Sequence, residues 1–96
     1  MITLSYFTAP WCASCKSTTV ICERIQSERT DVIVSIYNVD TSEGSAMAAK
    51  HNITSLPSII ISGPGGTKSF IGSHASYGAI NEAINEVSRA SLSGLK

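Results

Sequence analysis

The sequence predicts an α/β protein with a mixed four-stranded sheet and three helices, in the order β-α-β-α-β-β-α. Alternating or β-branched residues indicate strands near residues 2–8 and 32–39, and helical periodicity follows Cys12 and Ser76. A Gly-Pro-Gly-Gly turn separates two further strand-like runs and predicts a hairpin. Because a strand–helix–strand unit forms a right-handed parallel crossover and a hairpin is antiparallel, both strand orientations are expected, with helices on both faces.

The first strand is predicted at residues 2–8, where apolar and polar residues alternate before Ala9 and Pro10 interrupt the pattern. A change to helical spacing then predicts a helix that begins at or beside a pair of cysteines and ends near Arg29. The residues at this spacing are Cys15, Thr18, Thr19, Cys22 and Ile25.

The second strand is predicted at residues 32–39, a run with too few polar positions to face water on one side. It is therefore expected to be covered on both faces. A short alanine-rich helix should follow from residue 45 to about residue 51. Asp40 and Glu43 are spaced as a variant of the capping box at its start, and Asn52 is a suitable terminator.

The hairpin is predicted to begin at Pro57, with strands at residues 58–61 and 67–71 around the glycine-rich turn. Gly72 should end the second of these strands. Ser76 is a suitable N-cap for the last helix, and residues 91–96 are expected to be a frayed tail. The apolar stripe of this helix consists of Tyr77, Ile80, Ile84 and Val87.

The length and composition of the chain limit the classes of function that it can have. The chain has 96 residues, which fits a single domain over residues 1–96, and it is 43% hydrophobic. Seven basic residues balance seven acidic residues, so neither nucleic acid nor a membrane surface is an expected partner. No secretory signal and no apolar run long enough to span a membrane is present. A cytoplasmic monomer is expected.

The stretch Trp11-Cys12-Ala13-Ser14-Cys15-Lys16 indicates redox chemistry, because two thiols three residues apart at a helix start can close a disulfide. Cys12 is expected to lie in the exposed first turn, where free N–H groups and the helix dipole stabilise a thiolate. Cys15, one turn further, should be shielded. Cys12 would then attack a substrate disulfide and Cys15 would resolve the mixed disulfide, with no cofactor beyond this pair.

A structural zinc site is the competing interpretation of the cysteine pair. Zinc normally takes four protein ligands, and the remaining candidates are Cys22, His51 and His74. No second C-x-x-C and no H-x₃₋₅-H motif is present, so no metal is expected. Cys22 is more simply a core residue on the buried face of the first helix.

Four segments together resemble the thioredoxin family, with its landmarks in order over almost the whole chain. They are Phe7-Thr8-Ala9-Pro10-Trp11-Cys12-x-x-Cys15-Lys16, Asn38-Val39-Asp40, Ile53-Thr54-Ser55-Leu56-Pro57, and Gly72 before the last helix. The resemblance implies a thioredoxin-like fold, with Trp11, Cys12, Cys15 and Lys16 in the active site. It also implies that Leu56 and a cis Pro57 face the cysteines across a substrate groove.

The chain departs from the family pattern at four places. Ala13-Ser14 replaces Gly-Pro between the cysteines, Tyr6 replaces a buried aspartate, and Val20 replaces a helix-kinking proline. The chain also begins at the strand that leads into the active site, without the family's first strand and helix. This trimmed form resembles glutaredoxin.

The resemblance implies a thiol–disulfide oxidoreductase that reduces protein disulfides, with a thioredoxin reductase or glutathione as electron donor. A glutathione-coupled, glutaredoxin-like reductase is an alternative, supported by chain length and Phe70-Ile71-Gly72 but not by Trp11. A non-catalytic binding module is a second alternative. Trp11, Leu56 and Pro57 are the candidate substrate-binding residues. Lys16 and Tyr6 are candidate modulating residues, with a solvated helix position and core packing as their simpler interpretations.

Overall fold

The computed structural model describes residues 2–72 and 76–93. The order of its elements is β-α-β-α-β-β-α, as predicted. The elements are β1 (Ile2–Thr8), α1 (Cys15–Glu28), β2 (Val32–Asn38), α2 (Ser42–Lys50), β3 (Ser58–Gly63), β4 (Gly66–Ile71) and α3 (Tyr77–Ser93).

The four strands form one mixed sheet in the order β2-β1-β3-β4. β1 is parallel to β2, and both the β1–β3 and β3–β4 pairs are antiparallel. Tyr6 in the middle of β1 lies opposite Ile36 of β2 and Ile59 of β3. The predicted parallel crossover and the predicted hairpin are both confirmed.

The helices lie on both faces of the sheet. The Tyr6 hydroxyl reaches α1, whereas the Phe7 ring contacts the ring of His51 at the end of α2. Successive residues of a strand point to opposite faces, so α1 and α2 lie on opposite sides of β1. α3 shares the α1 side, since Arg24 of α1 stacks 3.9 Å from the ring centroid of Tyr77.

The core lies between the sheet and the α1–α3 pair, where fully buried side chains from strands and helices meet. Burying one such aliphatic side chain contributes about 1.5–3 kcal/mol. The principal members are Leu4, Tyr6, Ile25, Ile59, Ile61, Ile80, Ile84 and Val87. Cys12 and Cys15 belong to the same buried cluster, so the cysteine pair is supported directly by the core.

The prediction that residues 32–39 are covered on both faces is wrong. β2 is an edge strand, with Ile33 and Ile36 50% and 45% exposed. Both α1 and α2 contact β2. An edge strand has no neighbouring strand on its outer side, however, so helices packed over the inner strands shield only part of it.

The start of α2 also differs from the prediction. The helix begins at Ser42, three residues earlier than expected, and its N-cap is Thr41. The Thr41 hydroxyl accepts a hydrogen bond from the backbone N–H of Gly44 at 3.0 Å, so the expected capping by Asp40 and Glu43 is not what opens the helix. Asn52 follows the helix end with φ 56°, the left-handed geometry that asparagine tolerates.

At the start of α3 the prediction is confirmed, because the Ser76 hydroxyl accepts from the backbone N–H of Ala79 at 3.1 Å. The predicted tail at residues 91–96 is wrong in part, since the helix extends to Ser93. Residues 94–96 and His74 lie outside the described residues. Within the described ranges, no helix combines the length and apolar character needed to cross a membrane.

Candidate active site

Cys12 and Cys15 are joined by a disulfide in the turn between β1 and α1, with an S–S distance of 2.08 Å and a Cα–Cα distance of 5.4 Å. The turn is wound tightly: the Cys12 N–H donates to the Ala9 carbonyl at 3.1 Å, and the Cys15 N–H donates to the Cys12 carbonyl at 3.2 Å. The helix begins at Cys15, so Cys12 precedes it. The expectation that Cys15 lies one turn into the helix is therefore wrong by about one turn.

The accessibility of the two cysteines also needs correction. Cys12 was expected to be exposed, but it is only 8% exposed, while Cys15 is 2% exposed. The reason is that Cys12 packs into the buried core cluster, which covers its side chain. Cys12 is still the more accessible of the two cysteines, as expected for the one that attacks first.

Beneath Cys15 lies a closed set of hydroxyl contacts. The Tyr6 hydroxyl lies 2.9 Å from the Cys15 carbonyl and 2.7 Å from the Thr19 hydroxyl, which itself lies 2.9 Å from that carbonyl. Two hydroxyls have two protons for these three contacts, so one hydroxyl donates to the carbonyl and the other donates to its fellow hydroxyl. Tyr6 is thus tied to the first turn of α1. Thr19 was not singled out in the sequence beyond its helical spacing.

Trp11 lies next to Cys12 on the surface and is 67% exposed. Its indole N–H donates to both carboxylate oxygens of Asp40, at 3.1 and 3.2 Å. Asp40 follows β2 and is itself held by a hydrogen bond from its backbone N–H to the Asn38 side chain at 2.8 Å. The sequence offered Asp40 only as a helix cap and as a family landmark, and its contact with Trp11 depends on the β1–β2 pairing.

The segment before β3 lies beside the end of β1. Ser58 is opposite Phe7 in the strand register, which brings Pro57 next to the strand that leads into the cysteine turn. Pro57 is buried, the Leu56–Pro57 peptide is cis as expected, and Leu56 packs against the cluster that contains both cysteines. The Pro57 carbonyl accepts from the N–H of Gly72 at 2.7 Å, which ties this segment to the end of β4.

Two further residues flank the disulfide. Ser14 is the N-cap of α1, and its hydroxyl lies 3.6 Å from the Cys12 sulfur. Lys16 is exposed on the first turn of α1. The side chain at Lys16 therefore has access to solvent, whereas the Ser14 hydroxyl contacts a reacting atom directly.

Cys22 is a fully buried free thiol on the inner face of α1. Burial, and secondarily the neighbouring charge of Glu23, raise the pKa of this thiol to about 12. Such a thiol is neither a nucleophile nor a ready metal ligand near neutral pH. Among the residues that the structure describes, no group of three or more His, Cys, Asp or Glu side chains is arranged to hold a metal ion.

Comparison with known proteins gives consistent matches. The family model described as Thioredoxin matches residues 1–86. The thioredoxin of Bacillus subtilis (strain 168) is 30% identical over 60 residues, which cover 62% of this chain and 57% of that relative. The chain thus spans just over half the length of this curated relative.

Solved structures match over a larger share of the chain. Thioredoxin from Trypanosoma brucei brucei has a TM-score of 0.75 at 26% identity, covering 91% of this chain and 74% of that one. Thioredoxin O2 from Arabidopsis thaliana, in its oxidised state, has a TM-score of 0.75 at 19% identity. The match covers 91% of this chain and 75% of that one. At that lower identity the likeness concerns the fold alone.

Proposed function

This chain belongs to the thioredoxin family, and from that premise we propose that it is a thiol–disulfide oxidoreductase that reduces protein disulfides through Cys12 and Cys15. The observation that carries the proposal is the disulfide between these two residues, placed where β1 runs into the N-terminus of α1. A helix N-terminus favours a thiolate, because its free N–H groups and its dipole stabilise negative charge.

In the first step, the Cys12 thiolate attacks one sulfur of a substrate disulfide. The substrate S–S bond breaks, a mixed disulfide with Cys12 forms, and the departing substrate thiolate takes up a proton. The greater exposure of Cys12 supports its assignment as the attacking residue.

In the second step, Cys15 loses its proton and its sulfur attacks the Cys12 sulfur of the mixed disulfide. The Cys12–Cys15 bond forms and the second substrate thiol departs, so the substrate gains two electrons and two protons and the chain is oxidised. The short separation of the two Cα atoms, 5.4 Å, makes this step effectively unimolecular.

The substrate-binding surface that we propose consists of Trp11, Leu56 and Pro57. Trp11 presents a large exposed ring beside Cys12, and Asp40 restrains that ring through the indole N–H. Leu56 and Pro57 lie immediately before β3, next to the end of β1. An extended substrate segment could pair with the backbone there, as peptides do when they add to a sheet edge.

Lys16 and Tyr6 are the proposed modulating residues. Lys16 is a positive charge on the first turn of α1, one residue after Cys15. Tyr6 restrains the Cys15 backbone through the hydroxyl pair that it forms with Thr19.

The redox-active dithiol is sufficient for this chemistry, and no cofactor is proposed. A thioredoxin reductase is the proposed electron donor, with glutathione as the alternative. We propose that the chain acts as a monomer and as a single domain. The proposed compartment is the cytoplasm, where reducing systems keep such dithiols reduced.

Insulin reduction by dithiothreitol tests the function. The unsubstituted chain should accelerate precipitation of the insulin B chain, whereas Cys12→Ser and Cys15→Ser should each lower the rate to that of dithiothreitol alone. Cys22→Ala is the matched control and should retain the activity, because Cys22 lies buried away from the reaction. Cys15→Ser should also accumulate mixed disulfides with substrates, and Cys12→Ser should not.

Three results would contradict the proposal in different ways. No acceleration by the unsubstituted chain would indicate a binding module. Turnover supported by glutathione with glutathione reductase, but not by thioredoxin reductase, would favour the glutaredoxin-like alternative. Mixed disulfides that accumulate in Cys12→Ser would reverse the assigned roles of the two cysteines.

A further inference from the structure

Ser14 occupies the N-cap position of α1 but does not cap the helix. Serine is among the preferred N-cap residues because its hydroxyl usually accepts from a backbone N–H of the first turn. Here Ser14 has φ −73° and ψ −10°, a helical rather than an extended backbone, and its side chain makes no capping hydrogen bond. Its hydroxyl instead lies 3.6 Å from the Cys12 sulfur, within hydrogen-bond range for sulfur.

We propose that in the reduced protein the Ser14 hydroxyl donates a hydrogen bond to the Cys12 thiolate, and so makes Cys12 a better nucleophile at neutral pH. The proposal rests on the proposed function and deepens it, because it assigns a catalytic residue to the attacking sulfur. The Ser14 hydroxyl has one proton that it can donate to the sulfur, and its oxygen is not oriented by a capping hydrogen bond from the helix backbone.

The redox state of Cys12 decides the strength of this contact. A disulfide sulfur is a weak acceptor, whereas a thiolate carries a full negative charge and accepts a stronger, charge-assisted hydrogen bond. The Ser14 hydroxyl therefore stabilises the reduced, ionised form more than the disulfide form. This lowers the pKa of Cys12 and shifts the dithiol–disulfide equilibrium towards the dithiol.

In the part of the chain that the structure describes, the charged side chains that neighbour the cysteine turn include Lys16 and Asp40. Lys16 is exposed on α1, and the Asp40 carboxylate is engaged by the Trp11 indole on the β2 side. The segment before β3, residues 53–57, contains no ionisable side chain. The Ser14 contact is thus a local effect that can be removed without altering a charge.

The test measures the pKa of Cys12 from the pH dependence of iodoacetamide alkylation in a Cys15→Ser background. Cys22 should stay silent there, because its own pKa is about 12. Adding Ser14→Ala should raise the pKa of Cys12 by about half a unit to one unit, the size expected for one lost hydrogen bond. Ser17→Ala, an exposed serine of the same helix turn, is the matched control and should leave the pKa unchanged.

Ser14→Thr keeps the hydroxyl and should restore the original pKa. In the chain with both cysteines, Ser14→Ala should favour the disulfide about threefold to tenfold more in dithiothreitol redox buffer. A Cys12 pKa in Ser14→Ala equal to that in Ser17→Ala would overturn the proposal, as would a rise that Ser14→Thr does not reverse. These measurements need no protein substrate, so their failure is distinct from failure of the insulin assay.

Discussion

Tyr6 occupies the position where the family resemblance leads one to expect a buried aspartate. Its ring is fully buried, and its hydroxyl and that of Thr19 form hydrogen bonds with each other and with the Cys15 carbonyl, which accepts. A carboxylate at this position could accept a proton from the resolving thiol, whereas this hydroxyl pair is occupied in holding the backbone at Cys15. We therefore propose that Tyr6 acts on the site by positioning the start of α1.

Removing the Tyr6 hydroxyl should lower stability only modestly. In Tyr6→Phe the Thr19 hydroxyl can still donate to the Cys15 carbonyl, so one hydrogen bond is lost and the free energy of unfolding should fall by about 1 kcal/mol. Thr19→Val should have a similar effect, and because the two hydroxyls contact each other the loss in the double variant should differ from the sum of the single losses by a coupling energy of about 0.5 kcal/mol or more. Urea denaturation of the oxidised proteins measures all three. If the free energy of unfolding of Tyr6→Phe fell by far more than about 1 kcal/mol, the Tyr6 hydroxyl would have to stabilise more of the structure than its contacts with Thr19 and the Cys15 carbonyl.

At the scale of single elements, α2 depends on a close approach to the loop that follows β2. Gly44 is a buried residue in the first turn of α2, and a Cβ atom built there would collide with the Asn38 carbonyl. The Thr41 hydroxyl also lies close to that position, where it accepts from the Gly44 N–H. Glycine is required here by the close packing of backbone on backbone, since no side chain fits the space.

Gly44→Ala should therefore destabilise the protein, by about 2–3 kcal/mol, because either α2 or the loop at Asn38 must move. Gly78→Ala in α3 is the matched control: a Cβ there meets nothing within 4 Å. Alanine is the better helix former, so this control should gain up to about 1 kcal/mol. Thermal unfolding of both variants gives the comparison. Equal stability of the two would mean that α2 does not pack on the Asn38 carbonyl as described.

At the scale of the whole molecule, ionisation of the Cys22 thiol makes the free energy of unfolding depend on pH in the alkaline range. Burial raises the pKa of its thiol from near 9 to about 12 in the folded chain. Between these values the unfolded chain has lost the thiol proton and the folded chain retains it, so stability falls as pH rises. The contribution is complete below pH 9 and is lost progressively up to pH 12, at a rate of at most about 1.4 kcal/mol per pH unit.

Cys22→Ala should unfold more easily at neutral pH because it leaves a small cavity, but it should lose less stability between pH 9 and pH 11 than the unsubstituted chain. Oxidised proteins are used, so that Cys12 and Cys15 do not titrate. Denaturant unfolding at several pH values measures the slopes. Parallel slopes in the two proteins would show that Cys22 ionises as readily in the folded chain as in the unfolded one.

Much of the architecture could be predicted because its signals are local. Alternation over residues 2–8, helical spacing after the cysteine pair and the glycine-rich turn depend on neighbours along the chain, and the structure follows them. The Ser76 cap is likewise a property of a short segment, whereas the cis peptide before Pro57 was implied by the family resemblance and is confirmed. The error at the start of α2 had a local cause too, because Thr41 and Asp40 are both capable caps and only the backbone conformation selects between them.

The sequence by itself determined the element order, the parallel and antiparallel pairing and the cysteine pair that is proposed to carry the chemistry, because each is encoded in the spacing of residues close together in the chain. Tertiary structure alone decided the exposure of β2, the burial of Cys12 and the Asp40 partner of Trp11. These features depend on which strand lies at the sheet edge and on which elements pack around the cysteine turn. Local spacing does not specify either one, since both arise from packing between segments that are distant in sequence.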